Sequence, residues 1–396
     1  MKEKEEAEYW ERQLKNAPSP DEGWEEVHYS PDKDMKISEV VFWVGRNVNP
    51  FTGATVDEKG SGGAERALAE IATRLSDHFE KVTVYEEGLA SAGLEGAYGG
   101  VSWVDPLNVE NMDHKDYAFI AWRNPWTLNR PQAKILCEEA AAKVLWVHDP
   151  SVHPYVQSPW QHSFDQIVCV SDWHRHYFLS RHNVPGRKVR VIENGLDPLE
   201  FVDVPGEKKN RVVYASSPMR GLEILLDVWP AILERVADAE LHIYYGFDDW
   251  TKLGGGLKAH NLEEMVKQMS FPSGERSVRY HGRVSPSEMV KAFYASKVLA
   301  YPSIYPETYC LTALEAQAAG CVPVTSMLGN LPYVVFAGEQ IDGDINDDWK
   351  VAFAESVVKL LQDETVRAEK AGRARAEALK CTWDLAAEIW ANLLTC

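Results

Sequence analysis

Pro306-Glu307-Thr308-Tyr309-Cys310-Leu311-Thr312-Ala313-Leu314-Glu315-Ala316-Gln317-Ala318-Ala319-Gly320 carries two carboxylates on a stretch that otherwise reads as a buried helix. The apolar strand Val298-Leu299-Ala300-Tyr301-Pro302 precedes it, and Val322-Pro323-Val324 reads as the strand that follows. Gly320 falls where a helix C-cap belongs. Strand, helix and strand in this order make one unit of a parallel α/β sheet.

As continuous helix, the stretch turns through about 80° and rises roughly 12 Å between Glu307 and Glu315, so both acids face one side. The N–H groups of Tyr309, Cys310 and Leu311 fall between them at the helix start. Such a place favours an anion, phosphate above all. An acid, a phosphate cradle and a second acid match a nucleoside diphosphate sugar, with sugar hydroxyls at one end and ribose hydroxyls at the other. A core helix with two solvated glutamates is the plainer alternative.

Outward from this stretch the chain alternates strands and helices. Residues 36–200 hold a first set, with strands at Val40–Val44, Val82–Tyr85, Tyr117–Trp122, Lys143–Val147, Ile167–Val170 and Val189–Ile192. Gly45–Gly63 reads as a long loop and Ala64–Phe79 as a helix; Pro131 and Ser171 suit helix starts. The polar stretch Asp197–Asn210 reads as a linker. Residues 206–381 hold a second set, with strands at Arg211–Ala215, Leu241–Tyr245, Val278–His281, Val298–Tyr301 and Val322–Thr325. Helices are expected at Gly221–Arg235 and Pro286–Ser296. Residues 1–35 read as a charged extension with a short helix at Glu6–Leu14. The fold class is therefore α/β, with two parallel sheets facing a central cleft and ligands at the carboxyl ends of strands.

Composition narrows the partners. The 396 residues suffice for two cores, and a net charge of -19 gives no general attraction to nucleic acid or anionic lipid. Six cysteines without a C-x-x-C pair read as reduced thiols, and neither an apolar leader nor a membrane span is visible, so a cytoplasmic protein is expected. Asp32-x-Asp34 and Asp342-x-Asp344 look like metal-binding pairs but follow no convincing strand end, and no metal is expected.

Several motifs sit at strand ends. Gly60, Gly62 and Gly63 precede Ala64-Glu65-Arg66 and leave helix N–H groups open to a ligand, without the spacing of a dinucleotide fingerprint. His148-Asp149 ends one strand; Asp149 either orients His148 or caps the next segment. Ser216-Ser217-Pro218-Met219-Arg220-Gly221 ends another, where Arg220 suits diphosphate oxygens. Trp122-Arg123-Asn124-Pro125-Trp126 offers Arg123 to an acidic acceptor, or is a packed tryptophan cluster.

In context, the E-x(7)-E stretch resembles the signature of the retaining glycosyltransferases of family 4 (glycosyl transferases group 1), which have the GT-B fold of two Rossmann-like domains. Val168–Trp173, Val191–Asp197 and Gly282-Arg283-Val284 resemble further landmarks of that family, so the likeness covers roughly residues 37–394. It implies a transfer of a hexose from a nucleoside diphosphate sugar to a hydroxyl acceptor, without metal or resident cofactor, UDP- and GDP-linked donors being the first expectation. It implies catalytic roles for His148, Glu307 and Arg220. His148 would face the donor sugar, its carbonyl stabilising charge at the anomeric carbon. Gly62, Gly63, Ser216, Ser217, Arg220, Arg283, Val284, Glu307, Tyr309, Cys310, Leu311, Thr312 and Glu315 would hold the donor. Gly63, Asp149 and Arg123 would meet the acceptor, joined by the insert Asn47–Lys59, and the helix Thr382–Leu394 would cross back to the first domain. The chain departs from the family in the Asn47–Lys59 insert and in the phosphate loop, where Arg220-Gly221 stands for the usual Lys-Gly and Ser216 or Ser217 stands nearest the usual Arg, so one cation is missing. Glycan, lipid and small-molecule acceptors all stay open, with nucleic acid disfavoured by charge. A nucleotide-sugar epimerase of the same fold and a non-catalytic nucleotide-sugar-binding module are the alternatives.

Overall fold

The computed structural model describes residues 36–108, 112–150, 160–202, 208–247, 251, 255–270 and 277–395. The Glu6–Leu14 helix and Asp32-x-Asp34 therefore lie outside the described residues. The first domain is built on eight strands: β1 (Glu39–Arg46), β2 (Lys81–Glu87), β3 (Gly96–Tyr98), β4 (Val101–Val104), β5 (Tyr117–Trp122), β6 (Ala142–Trp146), β7 (Gln166–Cys169) and β8 (Val189–Val191). They lie in the order β3-β4-β2-β1-β5-β6-β7-β8. All pairings are parallel except β3 with β4, a short antiparallel edge that the sequence pattern did not announce.

The second domain follows the same logic with β9 (Lys209–Ala215), β10 (Glu240–Tyr244), β11 (Val278–Gly282), β12 (Ser296–Tyr301), β13 (Val322–Ser326) and β14 (Glu339–Ile341), in the order β11-β10-β9-β12-β13-β14 and parallel throughout. Strands such as Val40-Val41-Phe42-Trp43 are buried on both faces, as a helix-covered parallel sheet requires. Helices start where the chain supplies caps. Ser171 accepts from the His174 N–H at the start of the Asp172–Arg181 helix, and Ser285 with Glu288 forms a capping box before Pro286–Ala295.

In each sheet the strand order reverses at one place, between β1 and β5 and between β9 and β12. Crevices at such points, beyond the carboxyl ends of the strands, are where open α/β sheets take ligands. Here those ends run into Trp122-Arg123 in one domain and into Ser216 and Pro302 in the other. Asp342 directly follows β14, so that pair does follow a strand end, contrary to expectation; both its carboxylates are exposed.

Two parts of the chain differ from the sequence reading. Gly45–Gly63 is not one long loop: Thr52 and Thr55 make a capping box that starts a helix at Gly53–Lys59. Phe51 anchors it in the core against Trp103 and Trp122. The Asp197–Asn210 stretch is not wholly linker either. Asp197 accepts from the Leu199 N–H and starts a 3-10 turn at Pro198–Phe201, and β9 begins at Lys209.

The final helix, Trp383–Thr395, packs against the first domain. Trp390 is fully buried with its ring 5.0 Å from that of Trp146, and Arg74 binds Asp384 at 2.6 Å. Leu196 and Thr382 exchange backbone contacts where the chain crosses between domains. Trp390→Ala removes a buried indole from this joint. It should cost about 3–5 kcal/mol in urea-unfolding experiments; a loss below about 1 kcal/mol would contradict this placement.

Candidate active site

The E-x(7)-E stretch is not one continuous helix. Cys310 takes a left-handed backbone, φ 84°, and the helix runs only from Leu311 to Ala318. Its far end closes as expected, with Gly320 N–H bonded to Gln317 O and Cys321 N–H to Ala316 O. Glu307 stands before the helix in extended backbone bridged to Gly329. A Cβ on Gly329 would meet the Glu307 carbonyl oxygen at 2.3 Å, and φ there is +65°, so a glycine is required for this seat. The rotation and rise inferred for an unbroken helix therefore do not describe how the two acids relate.

Each acid has a different set of partners. Glu307 is buried; its Oε1 accepts from Arg220 Nη1 at 2.9 Å and from the Tyr301 hydroxyl. Both bonds fall on Oε1, which leaves Oε2 for another donor. The Arg220 guanidinium also stacks on Tyr305 at 4.1 Å. Ser216 donates its hydroxyl to Tyr301 Oη at 3.1 Å, so it supports this network; Ser217 has its carbonyl bonded by Tyr214 Oη at 2.8 Å. Glu315 faces the first domain, where Arg66 Nη1 lies 3.3 Å from its Oε1. Arg66 also meets Glu200 and Glu70, so three acids crowd one cation. Burial is the larger influence on Glu315 and, with Glu200 and Glu70 nearby, outweighs Arg66; its pKa is pushed up to about 7.

Thr308, between the two acids, joins the domains. Its hydroxyl donates to the His148 carbonyl at 2.8 Å, and its own carbonyl accepts from Ser171 Oγ at 2.7 Å. The His148 carbonyl thus already holds one bond, with a second lone pair left. His148 follows β6, buried beside Trp146 (4.5 Å) and Trp122 (6.0 Å). Burial, then the nearby Arg123, lowers its pKa to about 3, so the imidazole is neutral near pH 7, and its Nε2 is buried without a protein partner.

Asp149 does not orient His148. Its carboxylate takes two bonds from Arg123, at 2.8 and 2.7 Å. Burial works to raise the Asp149 pKa, but Arg123 more than offsets it and holds the group below the usual range. Arg123 also reaches Glu65 at 3.4 Å and lies over Trp122, with φ 67°. It is therefore not an open cation awaiting an acidic acceptor. Trp122 is buried, whereas Trp126 is 46% exposed. Three of the four non-glycine residues with positive φ among the described residues, Arg123, Tyr245 and Cys310, lie at strand ends or the helix start around this cleft.

The glycine loop touches the opposite domain. A Cβ on Gly60 would meet the Val284 carbonyl oxygen at 2.1 Å, and one on Gly63 would be 3.5 Å from the Leu311 side chain. A Cβ on Gly62 would strike Glu65 Oε2 at 2.4 Å. Arg283 stacks on Tyr245 at 4.6 Å at the ends of β10 and β11. Thr312 donates its hydroxyl to Ala215 O at 3.0 Å, which ties the helix start to β9. The first-turn N–H groups of Leu311 and Thr312 have no intrahelical acceptor. Tyr309 is buried and its side chain meets Cys381, away from the helix start, and Cys310 supplies the turn.

The structure brings Glu307, Arg220 and His148 to one cleft, whereas of the Tyr309, Cys310 and Leu311 amides expected at a helix start, only that of Leu311 lies in the first turn. Sequence reasoning gave no role to Arg66, Glu65, Tyr301, Thr308 or His174, whose Nε2 holds the Asp149 carbonyl at 2.9 Å. Only Glu65 and Arg66 left a local trace, beside the glycines; the others are ordinary strand and loop residues whose partners come from the opposite domain or a neighbouring strand.

The comparisons with known proteins agree with this architecture. Residues 209–363 match the family model described as "Glycosyl transferases group 1". A D-inositol 3-phosphate glycosyltransferase of Corynebacterium jeikeium is 29% identical over 173 residues, 43% of this chain and 39% of the relative. An uncharacterized glycosyltransferase of Methanocaldococcus jannaschii is 28% identical over 254 residues, 58% and 59% of the two. The chain thus spans under two thirds of the length of these curated relatives. Among solved structures, sucrose-phosphate synthase from Thermosynechococcus elongatus superposes with a TM-score of 0.66 at 16% identity, covering 90% of this chain and 98% of that one. Anabaena HepE, crystallised with UDP-glucose, gives 0.65 at 16%, covering 90% and 99%.

Glu315 yields a pH prediction. Its pKa is raised on folding, so its contribution to stability is fully present below about pH 4.5 and is lost as pH rises toward 7. Glu315→Gln should differ from the parent by a stability gap that changes across that window and is flat outside it, read from urea midpoints at a series of pH values. A gap constant from pH 4 to 8 would contradict the assignment. Residues 209–363, in the second domain, thus match the glycosyl transferases group 1 family, and the two parallel sheets share the GT-B arrangement of the solved structures that superpose on the chain.

Proposed function

We propose that this protein is a retaining glycosyltransferase that moves a hexose from a nucleoside diphosphate sugar to a hydroxyl acceptor. The observation that carries the reading is the convergence of Arg220, Glu307 and the open amides of Leu311 and Thr312 on a cleft wall that Thr308 holds against His148. In the reaction the bond from the anomeric carbon to the β-phosphate oxygen breaks and a bond to the acceptor oxygen forms. The acceptor's proton passes to the departing phosphate oxygen on the same face, which keeps the configuration. Arg220 and the first-turn amides stabilise the negative charge that develops on the diphosphate. Arg220 has five N–H donors, so it can serve the phosphate while still holding Glu307. Glu307 Oε2 accepts from sugar hydroxyls, and neutral His148 offers Nε2 to the sugar. Arg283, Val284 and Tyr245 flank the place for the base. Glu315 accepts from ribose hydroxyls, which requires it to share its carboxylate with Arg66.

A binding module without turnover is the second reading. It is favoured by the Ser216 hydroxyl being spent on Tyr301, which leaves Arg220 as the cation of that loop.

The test measures transfer and donor hydrolysis with UDP-, GDP-, ADP- and TDP-sugars, and donor binding by thermal shift, since bound ligand stabilises the native state. At least one donor should bind and turn over. Glu307→Gln, which keeps the shape and a hydrogen-bonding oxygen, should lower turnover by about 10²–10³-fold with the fold intact by circular dichroism. Near-parental turnover in that variant would overturn its role, and donor binding without any turnover would favour the binding module.

A further inference from the structure

The first-domain side of the cleft differs in charge from the diphosphate side. At the carboxyl edge of the first sheet, Asp149 holds Arg123 through two bonds and Glu65 adds a third carboxylate oxygen at 3.4 Å. Arg123, Asp149 and Glu65 together carry one net negative charge. At the end of β2, beyond β1, Glu87 binds Arg130 at 2.6 Å. Arg66, one residue on from Glu65, is shared among Glu70, Glu200 and Glu315. The neighbouring Glu86 is wholly buried with only the Phe51 N–H at 3.3 Å on one oxygen; burial pushes its pKa up to about 9, so it is a neutral acid there.

The start of the Gly63–Leu75 helix would ordinarily attract an anion. Glu65 is already in its first turn, with its carboxylate folded back against Gly62 and accepting from Asn47 Nδ2 at 3.4 Å. A phosphate brought here would meet the fixed negative charge of Glu65 and Asp149. The contrast with Arg220 is direct: that cation faces one carboxylate and shares its wall of the cleft with the open Leu311 and Thr312 amides, whereas Arg123 faces two. Segments 109–111 and 151–159, which adjoin this edge in sequence, contain no lysine or arginine. Among the described residues of this edge, Arg46 at the end of β1 is exposed and stands opposite Glu87 in the strand register.

What the edge does offer is acceptor oxygens and an aromatic face. Carboxylates that already pair with arginine keep lone pairs for hydroxyl donors. Trp126, just beyond Arg123, exposes nearly half its surface, and a sugar ring can pack its C–H face on an indole.

We infer that the acceptor is an uncharged polyhydroxyl compound, a sugar or polyol bearing no phosphate, recognised through Glu65 and Asp149. This rests on the transferase reading above. It assigns Glu65 and Asp149 to acceptor choice and Arg123 to holding them in place.

The experiment uses the full chain with the donor found to turn over, and matched acceptor pairs: glucose and glucose 6-phosphate, inositol and inositol phosphate, glycerol and glycerol 3-phosphate. Binding of each phosphorylated member to the protein saturated with nucleoside diphosphate is measured in parallel by calorimetry. The expected result is a kcat/KM at least about tenfold higher for the uncharged member of any pair that is used, and no saturable binding of the phosphorylated members below about 10 mM, an order-of-magnitude limit for a site whose central arginine is already held by two carboxylates. Glu65→Gln together with Asp149→Asn should release Arg123 and create phosphate-compound binding that the parent lacks. Preference for a phosphorylated acceptor, or parental binding of it that Arg123→Ala or Arg46→Ala abolishes, would overturn the inference. Absence of any nucleoside diphosphate binding would instead count against the transferase reading, and it is scored separately by the donor thermal shift.

Discussion

The left-handed turn at Cys310 is the constraint on which the cleft depends. It separates Glu307 from the helix that carries Glu315 and gives the intervening residues different jobs. Glu307 lies back on Gly329 and faces Arg220. Thr308 reaches across to His148 and Ser171. Leu311 and Thr312 begin a helix whose first amides are open. A non-glycine residue in this backbone region is costly and persists only where its surroundings hold it. Here Thr312 bonded to Ala215, Asn330 bonded to the Glu307 carbonyl and the buried Tyr309 fix the chain on both sides of the turn.

Charge is distributed by the same arrangement. The second domain places one arginine against one glutamate at the helix start, a pair that is neutral as a unit and can admit a diphosphate. The first domain surrounds Arg66 and Arg123 with more carboxylates than they can neutralise. In the proposed reaction, this contrast between the two walls would direct a charged donor to one side and an uncharged acceptor to the other. The buried Glu315–Arg66 contact links the two walls. An ion pair of this kind stabilises little by itself, since desolvation offsets the attraction, but it fixes which surfaces meet.

Much of the fold was legible because parallel strands covered on both faces are continuous apolar runs. Val40–Val44, Tyr117–Trp122 and Val298–Tyr301 announce themselves, and Ser171 and Pro131 mark helix starts by local chemistry. The β3–β4 edge and the Gly53–Lys59 helix were not legible, because one is three residues long and the other is set by Phe51 docking in a distant core. In the site, residue types near glycines and strand ends pointed to the cleft between the two sheets. Their partners did not follow from sequence. Helical periodicity cannot foresee a left-handed cysteine, and Asp149 looked adjacent to His148 although Arg123, 26 residues away, is its partner. Long-range pairing is decided by which strand ends the topology brings together, here β5 with β6 and β9 with β12.

A crystal structure of the full chain with a nucleoside diphosphate sugar tests the account most directly. The diphosphate should lie between the Arg220 guanidinium and the Leu311 and Thr312 amides, with Glu307 Oε2 against the sugar. Ligand bound elsewhere, with Arg220 still paired only to Glu307 and those amides facing solvent, would contradict it.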